Sequence, residues 1–386
     1  MIKINPSNSQ LIFNRPVFLI LFHCFFNTLL KTLHAWHTRC YLTLSRFIHK
    51  NKDGDIKCEM PPRRPWRTAS KAVSLAGLST FLITGCEAPL NLEAVREQSQ
   101  QAVKRTDFFQ AMARNNEVIV LSGNNGVVLA SPNNGMTWSR QNPTSASFLA
   151  MDVCPDNSFI ALTFNNEIWH GDASAENWTA HTLPSQEQMM TAACAPDGSW
   201  WAAGAFTTIQ GSTDQGETWT ETSLNEDAIL NNLQFLDSNN AFITGEYGLV
   251  LRTRDGGETW DYAGYLPDEF YAHTSYFSSQ DEGWVGGLNG FIYHTTDGGE
   301  SWERSPTGIN TPVFGFVSGP SGLYALADNA TVLKHADGSW QKISTSDQPL
   351  YLRSGLLLPD NQLLAAGARG LLLNLEIPAA FSASTD

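Results

Sequence analysis

The chain has 386 residues, a formal charge of −14, only 16% charged residues, 12 Trp and 30 Gly. Few charges with many aromatics and glycines exclude a disordered chain and suit an all-β protein better than a helical one. Residues 1–86 hold twelve of the 24 Lys and Arg but three of the 38 Asp and Glu, leaving twelve basic against 35 acidic residues beyond them. Such an acidic body lacks the positive footprint of a nucleic-acid binder, so no nucleic-acid partner is expected.

At the head of the chain, Val17–Leu30 is a short apolar run. A second start is better organised. Residues 60–85 run from Met60 through a basic segment (Arg63, Arg64, Arg67, Lys71) into apolar Ala72–Thr84, and a Cys follows at 86. Basic, apolar and small-residue parts in that order make a secretory signal. Ile83-Thr84-Gly85-Cys86 resembles a bacterial lipobox, which implies lipidation of Cys86 and a membrane contact through that lipid. Glu87 behind the Cys implies the outer membrane, with the protein facing the periplasm. On this reading 1–59 is a non-native N-terminal extension and 60–85 a lipoprotein signal peptide. Residues 86–106 are the lipidated tether and a closing strand, and 378–386 a disordered tail.

The body, 107–377, is repetitive. Thr295-Thr296-Asp297-Gly298-Gly299-Glu300-Ser301-Trp302 echoes Thr253–Trp260 and Ser212–Trp219, with looser copies at Ser131–Trp138, His170–Trp178 and His335–Trp340. The closing Trp recurs at 138, 178, 219, 260, 302 and 340. Turns such as Gly245-Glu246-Tyr247-Gly248 and Gly287-Leu288-Asn289-Gly290 recur seven times, 40 to 42 residues apart, between apolar runs. Four short strands per ~40 residues, repeated, predict a β-propeller. We therefore expect an all-β, seven-bladed β-propeller of four-stranded antiparallel blades. The seventh unit, 350–376, has only three strands, so the segment before Phe108 is expected to add the fourth and close the ring.

The repeated motif has a structural use. Its Asp or Asn holds a tight turn by bonding backbone amides, its Gly takes a positive φ, and its Trp packs between units. Those roles fall to Asn133, Gly135, Trp138, Asp172, Trp178, Asp214, Gly216, Trp219, Asp255, Gly257, Trp260, Asp297, Gly299, Trp302, Asp337 and Trp340. Cys154 and Cys194 are one repeat apart. Buried neighbouring thiols are expected there, a disulfide being the alternative in an oxidising compartment.

Ser/Thr-x-Asp-x-Gly-x-Thr/Ser-Trp looks like the Asp-box, or bacterial neuraminidase repeat. The longer texts Gly283–Trp302 and Ala241–Trp260 resemble the photosystem II stability/assembly factor family of seven-bladed propellers. That resemblance implies a non-enzymatic scaffold that binds protein partners in the membrane or envelope during assembly. A monomeric propeller without cofactor or metal is expected. The alternative is a sialidase-like propeller that binds or cleaves glycans. It would need three converging arginines, and outside the repeat turns and the tether the body offers only Arg114, Arg353 and Arg369. HExxH, GxSxG and phosphate-loop texts are absent from the sequence. Strand order puts the Asp turns on one face of the disc and the second-to-third-strand turns on the other. Partner-binding candidates on that other face are Phe206, Glu246, Tyr247, Asp268, Glu269, Tyr271 and Arg369, since exposed aromatics beside charges suit protein recognition.

Overall fold

The computed structural model describes residues 49–50, 56–57, 92–346, 348–359 and 361–377. Cys86, the signal segment 60–85 and the tail 378–386 lie outside the described residues. The chain divides into two units, 1–90 and 91–386. In the first, β1 (His49–Lys50) and β2 (Ile56–Lys57) form an antiparallel pair. The second opens with α1 (Glu93–Gln100), where the tether showed helical character. Among the described residues no helix is long and apolar enough to cross a membrane.

Seven sheets follow. Blade 1 is β3 (Phe109–Arg114), β4 (Ile119–Gly123), β5 (Val128–Ser131) and β6 (Ser139–Gln141). Blade 2 is β7 (Phe148–Val153), β8 (Phe159–Thr163), β9 (Glu167–Gly171) and β10 (Trp178–Thr182). Blade 3 is β11 (Met189–Cys194), β12 (Trp200–Gly204), β13 (Thr208–Ser212) and β14 (Thr220–Ser223). Blade 4 is β15 (Leu230–Phe235), β16 (Ala241–Gly245), β17 (Leu249–Thr253) and β18 (Asp261–Tyr265). Blade 5 is β19 (Ala272–Phe277), β20 (Gly283–Gly287), β21 (Ile292–Thr295) and β22 (Glu303–Ser305). Blade 6 is β23 (Val313–Gly319), β24 (Gly322–Ala327), β25 (Val332–Ala336) and β26 (Ser339–Ser344). Blade 7 is β27 (Leu352–Leu357), β28 (Gln362–Gly367) and β29 (Leu372–Glu376). Every sheet is an antiparallel meander. The first strand of each blade packs on that of the next, and β27 packs on β3, so the ring is closed. This is the expected seven-bladed propeller.

Burial explains why the ring holds. Among the described residues the apolar core is divided into seven clusters, one at each blade interface. The second strands β4, β8, β16 and β20 are buried along their whole length, and β12 at all but Trp201. Both faces of such a strand meet a neighbouring blade, so its sequence is a continuous apolar run rather than an alternation. Each motif Trp packs toward the preceding blade. Trp260 joins the cluster between blades 3 and 4, and Trp302 the one between blades 4 and 5. Glycines end most second strands because the backbone entering the same blade passes so close. A Cβ on Gly204 would sit 2.1 Å from the Gln188 carbonyl oxygen, and one on Gly367 1.8 Å from that of Tyr351.

Two expectations are corrected. The segment before Phe108 adds no fourth strand to blade 7, whose sheet remains three-stranded. It instead takes the place of a connection entering a blade. Gly370 donates its N–H to the Asp107 carbonyl (2.7 Å), and Asn124 donates to that of Phe108 (3.2 Å). Arg140 grips the buried Asp107 carboxylate through two bonds of 2.8 and 3.0 Å. Ala102 and Val103 pack on the cluster between blades 7 and 1. The Asp107 clamp and the turn at Lys104–Asp107 fold the segment back before it can run along β29. Blades 7 and 1 are joined directly as well, through Met112 N–H to Ser354 Oγ (2.8 Å). Secondly, Cys154 and Cys194 are a disulfide, with Cα atoms 5.2 Å apart. The ends of adjacent innermost strands β7 and β11 lie within bridging distance, so the alternative named for an oxidising compartment holds over the buried thiols.

Candidate functional site

The motif turns staple one face. In blade 5, Thr295 Oγ1 donates to Asp297 Oδ1 (2.8 Å), and Gly299 N–H donates to Thr295 Oγ1 (3.0 Å). Ser301 N–H donates to Asp297 Oδ1 (2.9 Å), and the Ser301 hydroxyl donates to Oδ2. Trp302 Nε1–H closes the turn on the Gly299 carbonyl (3.1 Å). Blade 3 repeats the set with Asp214, Gly216, Thr218 and Trp219, and blade 4 repeats the hydroxyl and amide bonds with Asp255, Gly257, Thr253 and Thr259 while Trp260 Nε1 finds no partner. The hydroxyls of Thr218, Thr259 and Ser301, then their backbone amides, hold these three carboxylates down at about 2. Asn133 does the same work in blade 1 without charge, accepting from Thr137 N–H (2.9 Å), with Gly135 N–H on Ser131 Oγ. Asp172 spans its longer turn by accepting from Glu176 N–H and Asn177 Nδ2.

Blade 6 departs from the pattern. Asp337 and Gly338 both have positive φ (50° and 72°), and Ala336 pairs directly with Ser339. With two residues missing, the turn is a two-residue hairpin. Asp337 is therefore an exposed hairpin residue and not a staple, although Trp340 still packs inward. The histidines beside these turns pack on indoles: His170 tilted against Trp200 (5.1 Å), and His294 stacked on Trp284 (4.7 Å). Among the described residues no cluster of His, Cys, Asp or Glu is grouped to hold a metal.

The opposite face uses one backbone for different side chains. The second-to-third-strand turn is a short 3₁₀ turn in blades 1, 3, 4, 5 and 7, and its middle residue is left-handed in these five and in blade 6. Asn125, Asn289 and Asn329 sit there in blades 1, 5 and 6, as expected of a residue that tolerates this region. In blades 3, 4 and 7 the position holds Phe206 (φ 52°), Tyr247 (φ 56°) and Arg369 (φ 55°). A bulky residue with positive φ is a genuine outlier that the fold does not need. Phe206 and Tyr247 are also 49% and 55% exposed. Asp268 and Glu269, both with positive φ, form the turn beside Tyr247. Glu246 accepts from Ile229 N–H (3.0 Å) and lies by the Tyr271 hydroxyl. Burial, then the Glu246 carboxylate, raise the Tyr271 pKa. Thus Glu246, Tyr247, Asp268, Glu269 and Tyr271 form one acidic, aromatic cluster on blades 4 and 5, with Phe206 on the adjoining blade. Arg369 shares the face but belongs to blade 7, apart from the cluster.

Sequence reading missed further exposed aromatic and apolar side chains on this face, among them Phe108, Phe164, Tyr265 and Leu288. Phe164 and Leu288 occupy the turn position just before the middle one and could have been found by aligning the seven turns. The arginines a sialidase would need are not brought together. Arg114 ends β3 on the stapled face, Arg353 lies by the opposite mouth of the central channel, and Arg369 sits on the rim.

At its stapled end the channel opens into a cavity of about 380 Å³ lined by Asp152, Cys194, Gln234, Tyr276 and Phe316, among others. Asp152 accepts from Cys194 N–H (3.0 Å) and from Val153 N–H (2.8 Å). Burial outweighs those bonds and raises its pKa from 3.8 to about 6.

Fold and site together define a seven-bladed propeller with one stapled face and one face of exposed aromatic, acidic and strained residues. The family model of the photosynthesis system II assembly factor YCF48 matches residues 143–252 and 218–339, together just over half of the chain. The chain belongs to that family. Among solved structures, one described as YCF48 bound to D1 peptide superimposes with a TM-score of 0.60 at 17% identity, covering 72% of this chain and 94% of that one. YCF48 from Cyanidioschyzon merolae gives 0.58 at 11% identity, covering 70% and 96%. At such identities the likeness concerns the fold. No curated protein matches the sequence.

Proposed function

We propose that this protein is a non-enzymatic scaffold that binds protein partners during assembly of membrane or envelope complexes, anchored through a lipidated Cys86 at the outer membrane and facing the periplasm. Family membership and the relative seen with a D1 peptide support the protein-binding part. The Cys154–Cys194 disulfide supports an oxidising compartment. The observation that carries the reading is the placement of Phe206 and Tyr247, exposed and left-handed where Asn serves other blades. Strain retained at an exposed aromatic is a mark of a binding role.

The test replaces Phe206 and Tyr247 together by Asn and compares crosslinked membrane-protein partners in the native host. Met136→Asn, a 77% exposed position on the stapled face, is the control. Loss of partners with the double variant alone is expected, and equal capture by all three proteins would sink the proposal. The anchor is tested by intact mass of the natural protein, which must begin at a lipid-modified Cys86.

A further inference from the structure

The exposed aromatics of blades 3 to 5 form one continuous patch. Tyr262 and Tyr265 stand on β18, the outermost strand of blade 4, 43% and 53% exposed, with their rings stacked at 6.1 Å. Tyr262 donates its hydroxyl to Glu226, on the connection leaving blade 3 (2.6 Å). That connection is tied to the Phe206 turn. Glu226 N–H donates to Thr207 Oγ1 (3.2 Å), and Ser223 Oγ donates to the Phe206 carbonyl (2.9 Å). Nearer the channel, Leu266 N–H donates to the Gly248 carbonyl (2.8 Å), which joins the end of β18 to the Tyr247 turn. Tyr271 completes the patch beside Glu246 and Tyr247. Single exposed apolar side chains are ordinary on a protein surface, whereas a contiguous group of them marks an interaction site.

The patch is one-sided in charge. Glu226, Asp227, Glu246, Asp268 and Glu269 lie among these rings, and among the described residues none of them is in an ion pair. Residues 141–251, which span blades 2 and 3 and run into blade 4, hold 14 Asp and Glu and no Lys or Arg. Asp268 and Glu269 are set out by the 3₁₀ turn Pro267–Glu269, where both have positive φ (59° and 50°). Among the described residues no other connection between blades carries such a turn. At the margin of the patch Arg304 lies over the Phe291 ring (4.4 Å), a contact of the kind the exposed tyrosines leave open. Aromatic faces attract cations, and a guanidinium stacks on a ring while its fork meets a carboxylate. Exposed carboxylates alone hold a cation weakly in salt, and the rings add the short-range contact that fixes it.

We propose that this patch docks an arginine-bearing segment of the partner polypeptide, its guanidinium groups lying on the Tyr247, Tyr262 and Tyr265 rings against the carboxylates of Glu226, Asp268 and Glu269. The proposal rests on the protein-binding reading above and gives the partner its chemistry. The lack of Lys and Arg on blades 2 and 3 leaves these carboxylates without an internal cation from that side to compete for the site.

The test titrates the full-length protein, by calorimetry at physiological salt, with acetyl-Arg-Ala-Arg-Ala-Arg-amide and with the same peptide carrying Gln for Arg. At least tenfold tighter binding of the Arg peptide is expected. Tyr262→Ser with Tyr265→Ser leaves the net charge unchanged and should remove that preference. Asp268→Asn with Glu269→Gln keeps the rings and should lower it about tenfold. Glu217→Gln with Glu258→Gln takes two exposed charges from the stapled face and should leave it intact. Melting temperatures are recorded for all three variants. Equal binding of the two peptides, a preference that survives either patch variant, or an equal loss with the stapled-face variant overturns the proposal. Partner crosslinking in the Phe206→Asn, Tyr247→Asn protein is a separate measurement. Crosslinks lost there, without any Arg preference in the wild type, reject the basic segment alone, whereas crosslinks that survive reject the wider reading.

Discussion

The two faces of the propeller are made by the same seven blades, yet they diverge in opposite ways. On the stapled face the side chains repeat: Asp214, Asp255 and Asp297 make the same bonds, and their indoles fill the same gap. On the other face the backbone repeats while the side chains differ: Asn125, Phe206, Tyr247, Asn289, Asn329 and Arg369 share one left-handed conformation. Repetition of side chains marks what every blade interface requires. Variation on a fixed backbone marks positions released from that requirement and open to recognition. The residues best preserved in the text are therefore structural.

Substitutions should break this contrast in a graded way. The largest effect is expected for Trp302→Ala, which empties the blade 4–5 interface of a 9% exposed indole. A loss of about 3–5 kcal/mol follows from large-to-small core substitutions, read by chemical denaturation. Asp107→Ala should follow closely. It leaves Arg140 facing a buried, unpaired site, and breaking such a pair costs about 3–5 kcal/mol when fully buried; Arg140 is 18% exposed, so a smaller loss is expected. A melting temperature unchanged by Asp107→Ala would show that the segment before Phe108 does not help close the ring. Cys154→Ser with Cys194→Ser should cost about 2–4 kcal/mol, with the same loss in wild type under reductant.

Asp152 gives a pH signature. Its folded pKa, about 6, exceeds its ordinary 3.8. The native state therefore holds its proton more tightly, and this contribution to stability is lost as pH rises from about 4 to 6. Asp152→Asn should be more stable than wild type at pH 7, and the difference should vanish near pH 4. A difference independent of pH would show that Asp152 is not the titrating group. The Asp turns have the reverse sign. With pKa near 2 in the fold, Asp214, Asp255 and Asp297 contribute above pH 4 and lose that contribution only in stronger acid.

The smallest effect should also have the opposite sign. Tyr247→Asn relieves a left-handed Tyr and should raise stability by roughly 0.5–1 kcal/mol. Asp255→Asn at the stapled turn should lower it. A stability gain on one face and a loss on the other, in the same blade, is the contrast reduced to two single substitutions. Destabilisation by Tyr247→Asn would show that Tyr247 serves packing.

Much of this was legible beforehand. The spacing of Trp138 through Trp340 marks six of the seven blades, because each of these indoles wedges into the interface before its own blade. The face of Phe206, Tyr247 and Tyr271 follows from counting strands. The β-bulges of the seven innermost strands were not legible. Gln110, Leu149, Met190, Asn231, His273, Phe314 and Arg353 have no residue type in common, and only strand register reveals that each is a bulge. Asp337 misled because the Asp and Trp persist while the turn between them is two residues shorter.

The sequence by itself determined the repeat, the blade count and the strand order, since these rest on local turn chemistry and apolar runs. Tertiary structure alone decided how the ring closes and that Cys154 and Cys194 join. Each depends on groups brought together from different blades, and no spacing within one repeat encodes that distance. The Thr295–Trp302 turn shows the division. Its bonds can be read from its own residues, but its purpose, to seat Trp302 against blade 4, exists only once the ring is formed.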